Sequence, residues 1–143
     1  MISEELCEEI ILDHHKRPRN FRVLEPCDCA AEGTNPSCGD EVKVYVRRKD
    51  DHLEDVSFTG QGCAISRASA SLMTVRCKGR REQEARELAQ RVWAMLVAEG
   101  PEVGGDLAAL AGVRKFPARV KCALLPWHAL DAALEGRATT TSE

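Results

Sequence analysis

The 143 residues, 43% of them hydrophobic, are enough for one globular domain with its own core and too few for two of ordinary size. A net charge of -3, from 23 acidic and 20 basic residues without a basic block, and a 4% aromatic content give a nucleic-acid-binding surface little support, so no nucleic-acid partner is expected. No stretch is apolar enough for a membrane span, and the acidic start Met1-Ile2-Ser3-Glu4-Glu5 has no secretory signal, so a soluble cytoplasmic protein is expected.

Ser3 caps a first helix running to about His15, with Glu4 and Glu5 in its first turn and Leu6, Ile10 and Ile11 on its apolar side. Pro18 ends it. The stretch from Arg17 to Ser37 contains Pro18, Pro26, Gly33 and Pro36 and reads as extended loop with one short edge strand around Cys29 to Glu32. From Glu41 to Arg47 the chain alternates, with Val42, Val44 and Val46 inward. After the polar turn Lys49-Asp50-Asp51, a return strand from Leu53 to Thr59 turns Val56 and Phe58 inward. The two strands make an antiparallel hairpin, which brings its two ends together.

From Cys63 the period becomes helical, with Ile65, Ala68, Leu72 and Val75 on one face and small residues between them. Glu82 to about Ala98 is a second amphipathic helix with Ala85, Leu88, Ala89, Val92 and Met95 inward, stopped by Gly100-Pro101. Asp106 caps a short helix that ends at Gly112. Arg114 to Lys121 reads as a connector, and Leu124 to Leu134 as the last helix, with Pro126 in its first turn. Residues 1–136 form the single domain, and the Thr-rich residues 137–143 are a tail with nothing to bury.

Seven cysteines, an odd number in a reducing compartment, favour metal or thiol chemistry over a disulfide framework. Cys38 follows Asn35-Pro36-Ser37 and Cys63 follows Gly60-Gln61-Gly62, tight turns that can fold around an ion. Asp40 adds a carboxylate, the hairpin joins Cys38 and Asp40 to Cys63, and Cys122 completes a four-ligand set. Three thiolates and a carboxylate suit tetrahedral zinc, and the same thiolates suit a two-iron cluster. Buried structural cysteines are the plain alternative. At a helix N-terminus, Cys63 is favoured as thiolate, and Arg119 and Lys121 beside Cys122 can stabilise an anionic sulfur. Cys7 and Cys77 read as core or surface residues, and Cys27-Asp28-Cys29 as an accessory pair. His14, His15, His52 and His128 read as exposed or helix-capping.

Taken in order, the Leu6–His15 helix, Pro18-Arg19-Asn20, Asn35-Pro36-Ser37-Cys38-Gly39-Asp40, Gly60-Gln61-Gly62-Cys63-Ala64-Ile65-Ser66 and the Lys115–Leu125 block resemble the NifU N-terminal-like, or IscU-like, iron-sulfur cluster assembly proteins of the SufU type. The IscU type has a histidine before its last cysteine where Lys121 stands here, and the SufU type carries extra sequence matching Gly79 to Lys115. The resemblance implies an α+β fold with a small antiparallel sheet, helices on one face and a metal site at one exposed end. It further implies Zn2+ on Cys38, Asp40, Cys63 and Cys122, with Cys38 accepting a persulfide sulfur from a SufS-type cysteine desulfurase. Such a protein is an assembly carrier rather than an enzyme, passing sulfur toward cluster assembly or apo iron-sulfur proteins. The alternative it implies is a scaffold for a labile [2Fe-2S] cluster on Cys38, Cys63 and Cys122. Departures fall at Cys7 and His15, where the family has tyrosines, and at Arg22, where it has glycine; they bear on partner docking.

Overall fold

In the computed structural model, which describes residues 3–141, the first helix is α1 (Glu4–Lys16). The Leu6 N–H donates to the Ser3 hydroxyl at 3.1 Å, satisfying one of the amides a helix start leaves open. Ile10 and Ile11 rest against the core, whereas Leu6 is exposed. The start at Met1 and Ile2 and the tail at 142–143 lie outside the described residues.

The sheet has the order β3-β2-β1-β4, built from β1 (Cys29–Asn35), β2 (Asp40–Lys49), β3 (His52–Gln61) and β4 (Thr139–Thr141). The hairpin β2–β3 is as the alternation requires, with Val44, Val46 and Val56 fully buried. β1 differs from expectation: it is longer than Cys29 to Glu32, and it is an inner strand. It pairs antiparallel with β2, Asn35 opposite Asp40, and parallel with β4, Glu32 opposite Thr139. The sheet is therefore mixed. Thr139–Thr141, read from sequence as tail, find backbone partners on the open side of β1, which satisfies donors that an edge would leave to water.

The helices cover one face of the sheet, with α4 (Pro117–Leu134) against β1 and β2. Gly33 permits that approach, because a Cβ there would stand 3.0 Å from Leu125 Cδ1 and 3.5 Å from Ala129 Cβ. The helix begins seven residues before Leu124, since Pro117 at its first position presets the helical φ. Pro126 thus lies inside it, and Cys122 within the helix rather than ahead of it.

In α2 (Ala64–Cys77) the small residues, not Val75, form the packed face: Ser66, Ser69, Ala70 and Ser71 are buried and Val75 is 49% exposed. Wedged between α1 and α4, this helix needs short side chains for close approach. Ser69 Oγ donates to the Ala123 carbonyl at 2.6 Å and accepts from Trp127 Nε1 at 3.1 Å, tying α2 to α4. Helix α3 (Glu82–Val97) buries the five residues its periodicity selects. The following segment, Gly105–Val113, is a 3-10 helix capped by Gly104, with Asp106 in its first turn. No helix among the described residues is long and apolar enough to cross a membrane.

Candidate metal centre

Three separate elements deliver the site. The turn from β1 to β2 closes with the Cys38 N–H donating to the Asn35 carbonyl at 3.2 Å, and it presents Cys38 to solvent and Asp40 inward as the first residue of β2. Cys63 is the N-cap of α2, as its position after Gly62 suggests. Cys122 comes from the second turn of α4 and is fully buried. The ligand atoms of Cys38, Asp40 and Cys122 all lie within 4.8 Å of one another, and the Cys63 thiol stands 4.0 Å from Asp40 Oδ2.

Asp40 is the hub. It is 1% exposed; its Oδ1 accepts from the Cys63 N–H at 2.8 Å and its Oδ2 from Asn35 Nδ2 at 3.3 Å. Burial pushes its pKa upward, but hydrogen bonds from the Cys122 thiol, the Cys63 amide and Asn35 outweigh that and hold the carboxyl below its ordinary value. Cys122 moves the other way. Burial pushes its thiol far up, reinforced by hydrogen bonding with Asp40, Cys38 and Cys63, and the thiol also donates to the Ala118 carbonyl at 3.5 Å. The carboxylate therefore keeps its charge at the middle of the cluster, while the buried Cys122 thiol holds its proton until a cation competes for the sulfur.

Two further residues shape the cluster without having stood out in the sequence. Asn35 is fully buried, and its Nδ2 reaches both Asp40 and Cys122 Sγ, the latter at 3.6 Å. Its Oδ1 is buried without a partner. Gly62 leaves room for the carboxylate: a Cβ there would sit 2.6 Å from Asp40 Oδ1 and 2.7 Å from Ser66 Oγ. The Asn-Pro turn ahead of Cys38 was the available signal for Asn35; nothing local marked Gly62.

Soft thiolates with one oxygen ligand, in a pocket with an exposed cysteine on its open side, fit a borderline-soft cation such as zinc. Arg119 and Lys121 are exposed on the first turns of α4. Because neighbours on a helix are turned by about 100°, Lys121 does not share the direction of Cys122, which adjacency in a connector would have permitted.

The other candidates stand apart. Cys77 is buried in the core, its thiol pushed up by burial to about 12. Cys7 lines an apolar groove of 660 Å³ between α1 and the 3-10 segment. Cys27 and Cys29 lie toward the end of β1 remote from Asn35. His14, contrary to expectation, is 5% exposed, its Nδ1 2.7 Å from Ser71 Oγ, because α1 lies directly on the small-residue face of α2.

Residues 6–135 match the family described as the NifU-like N terminal domain. The zinc-dependent sulfurtransferase SufU of Bacillus subtilis (strain 168) is 41% identical, over 88% of this chain and 87% of its own. The iron-sulfur cluster assembly scaffold protein IscU of Streptococcus pyogenes serotype M1 is 40% identical, over 88% and 80%. A crystal structure assigned to the SUF-system iron-sulfur cluster assembly scaffold of Fervidobacterium islandicum AW-1 superposes with a TM-score of 0.84 at 40% identity, covering 88% of this chain and 94% of that one.

Proposed function

The chain belongs to the NifU-like N terminal domain family, and from that premise we propose that it is an iron-sulfur cluster assembly protein that accepts persulfide sulfur at a zinc-bearing centre. The observation that carries the reading is one exposed cysteine, Cys38, set within 4.8 Å of a buried carboxylate and a buried thiol. The zinc ligands in this reading are Cys38, Asp40, Cys63 and Cys122. Bound zinc supplies a Lewis acid that keeps thiols ionised.

The remaining chemistry belongs to the chain. Cys38, the accessible member, is the acceptor: its thiolate attacks the outer sulfur of a persulfide on a SufS-type cysteine desulfurase. The S–S bond there breaks, the desulfurase cysteine departs as thiolate, and Cys38 keeps the transferred sulfur. Asp40 and Asn35 hold Cys63 and Cys122 in place meanwhile. Arg119 and Lys121, exposed on the first turns of α4, are the cationic side chains this reading assigns to an anionic persulfide. The protein is a carrier whose sulfurtransferase step is a relay with the desulfurase, and its sulfur goes on to cluster assembly or apo iron-sulfur proteins. Seven free cysteines support a reducing cytoplasm as its setting.

A second reading, a scaffold for a [2Fe-2S] cluster on Cys38, Cys63 and Cys122, is favoured by one observation: the scaffold relative is nearly as similar as the zinc-dependent one. Lys121 in place of the scaffold type's histidine weighs against it. The deciding experiment mixes the zinc-loaded chain with a SufS-type desulfurase and cysteine and reads bound sulfur by mass spectrometry. One added sulfur, absent in Cys38→Ala, supports the acceptor reading; uptake unchanged in that variant refutes it.

A further inference from the structure

The metal centre leaves one thiol pair unused. Cys27 and Cys29 flank Asp28, Cys27 exposed and Cys29 half-buried. The seven residues of β1 separate Cys29 from Asn35, roughly 20 Å at the usual rise of a strand. This pair therefore acts apart from the centre.

Its spacing decides what it can form. Side chains two residues apart on an extended chain project to the same side, and two such steps span at most about 7 Å between Cα atoms. A disulfide accepts about 4.4–6.8 Å. The chain bends at Asp28, which shortens the span, and the bend is pinned on several sides. Asp28 N–H donates to the Val46 carbonyl at 2.8 Å, and Arg48 N–H donates to Asp28 Oδ2 at 2.5 Å. The Arg47 guanidinium holds the Pro26 carbonyl at 3.0 and 3.1 Å. With Asp28 drawn onto Arg48, burial pushes the Cys29 thiol up, Arg48 opposes it, and Asp28 and Cys27 add to it. The exposed Cys27 is thus the attacking thiol and Cys29 the resolving one.

We propose that Cys27 and Cys29 close a reversible intramolecular disulfide with low-molecular-weight disulfides, a redox-responsive dithiol separate from the metal centre. The Cys27 thiolate attacks one sulfur of the small disulfide, whose S–S bond breaks, and one small thiol leaves. Cys29, giving up its proton, then attacks Cys27 Sγ and expels the second small thiol. The protein loses two hydrogens and two electrons, and the small disulfide becomes two thiols. Closure tightens the loop held by Arg47 and Arg48, the latter of which runs on to Glu82 at 2.7 Å and to the Leu134 carbonyl at 3.0 Å.

The test incubates the metal-loaded full chain with oxidised glutathione, then alkylates free thiols and measures whole-protein mass and bound metal. The expected product is two hydrogens lighter with two fewer alkylatable thiols, keeps its metal, and reverts with reduced glutathione. Cys29→Ser should accumulate one glutathione adduct on Cys27, and Cys27→Ser should react about tenfold more slowly. The proposal is overturned if the unsubstituted chain accumulates a stable adduct, stays fully reduced, or loses thiols only together with metal.

Discussion

The two ends of β1 carry cysteines in opposite situations. At the Asn35 end, Cys38, Cys63 and Cys122 arrive from a turn, a helix cap and a helix interior and share one buried carboxylate. At the Cys29 end, two thiols are neighbours in sequence, and backbone contacts of a single bend place them. The first cluster exists only in the folded chain, gathered round Asp40; the second is nearly local, with one thiol exposed. Cysteine chemistry here follows surroundings rather than residue type.

The largest separation between the two ends should come from removing a buried ligand. Cys122→Ser or Asp40→Ala should reduce bound zinc from about one per chain to under about a tenth of that, while alkylation of Cys27 proceeds at its original rate; elemental analysis and timed alkylation check both. Equal loss at both ends would break the distinction. Asn35→Ala should weaken zinc about 10–100-fold, the usual consequence of losing a group that orients ligands, measured by chelator competition.

Gly62→Ala should destabilise the fold by about 1–3 kcal/mol in urea denaturation, because the new methyl must displace Asp40 or Ser66. Adding zinc should recover less stability in this variant than in the parent. The smallest effect should be that of Cys27→Ser with Cys29→Ser, which leaves zinc content and sulfur uptake at Cys38 unchanged.

One titration lies outside both ends and serves as a control. Burial, then Arg19, hold His14 below its ordinary pKa, so the folded state favours the neutral ring. The unfolded chain binds that proton first as pH falls below about 6.5. Stability should therefore drop between pH 7 and the depressed folded value, and His14→Gln should flatten that part of the curve without changing alkylation of Cys27.

Legibility in the sequence divided along the same line as the two sites. The β2–β3 hairpin and α3 follow local alternation and helical period, and both lie where the pattern puts them. Cys63 at a helix start was readable because a glycine turn precedes it. What depended on distant partners was not. β1 becomes an inner strand only because Thr139–Thr141, with no hydrophobic pattern, return to pair with it. The small-residue face of α2 is set by the closeness of α1 and α4, not by its own period. Reading Arg114 to Lys121 as connector missed Pro117 as a helix start, and so put Cys122 ahead of α4 instead of inside it. Asn35, bonded to Asp40, also reaches Cys122 across 87 positions of chain, a relation no local motif displays.

The most direct test of the central claim is zinc-edge X-ray absorption on anaerobically purified chain of measured metal content. About one zinc per chain, with three sulfur neighbours near 2.3 Å and one oxygen near 2.0–2.2 Å, is the predicted result. A shell of only two sulfurs would remove Cys63 or Cys38 from the centre, and iron with charge-transfer absorbance would contradict the zinc-bearing acceptor outright.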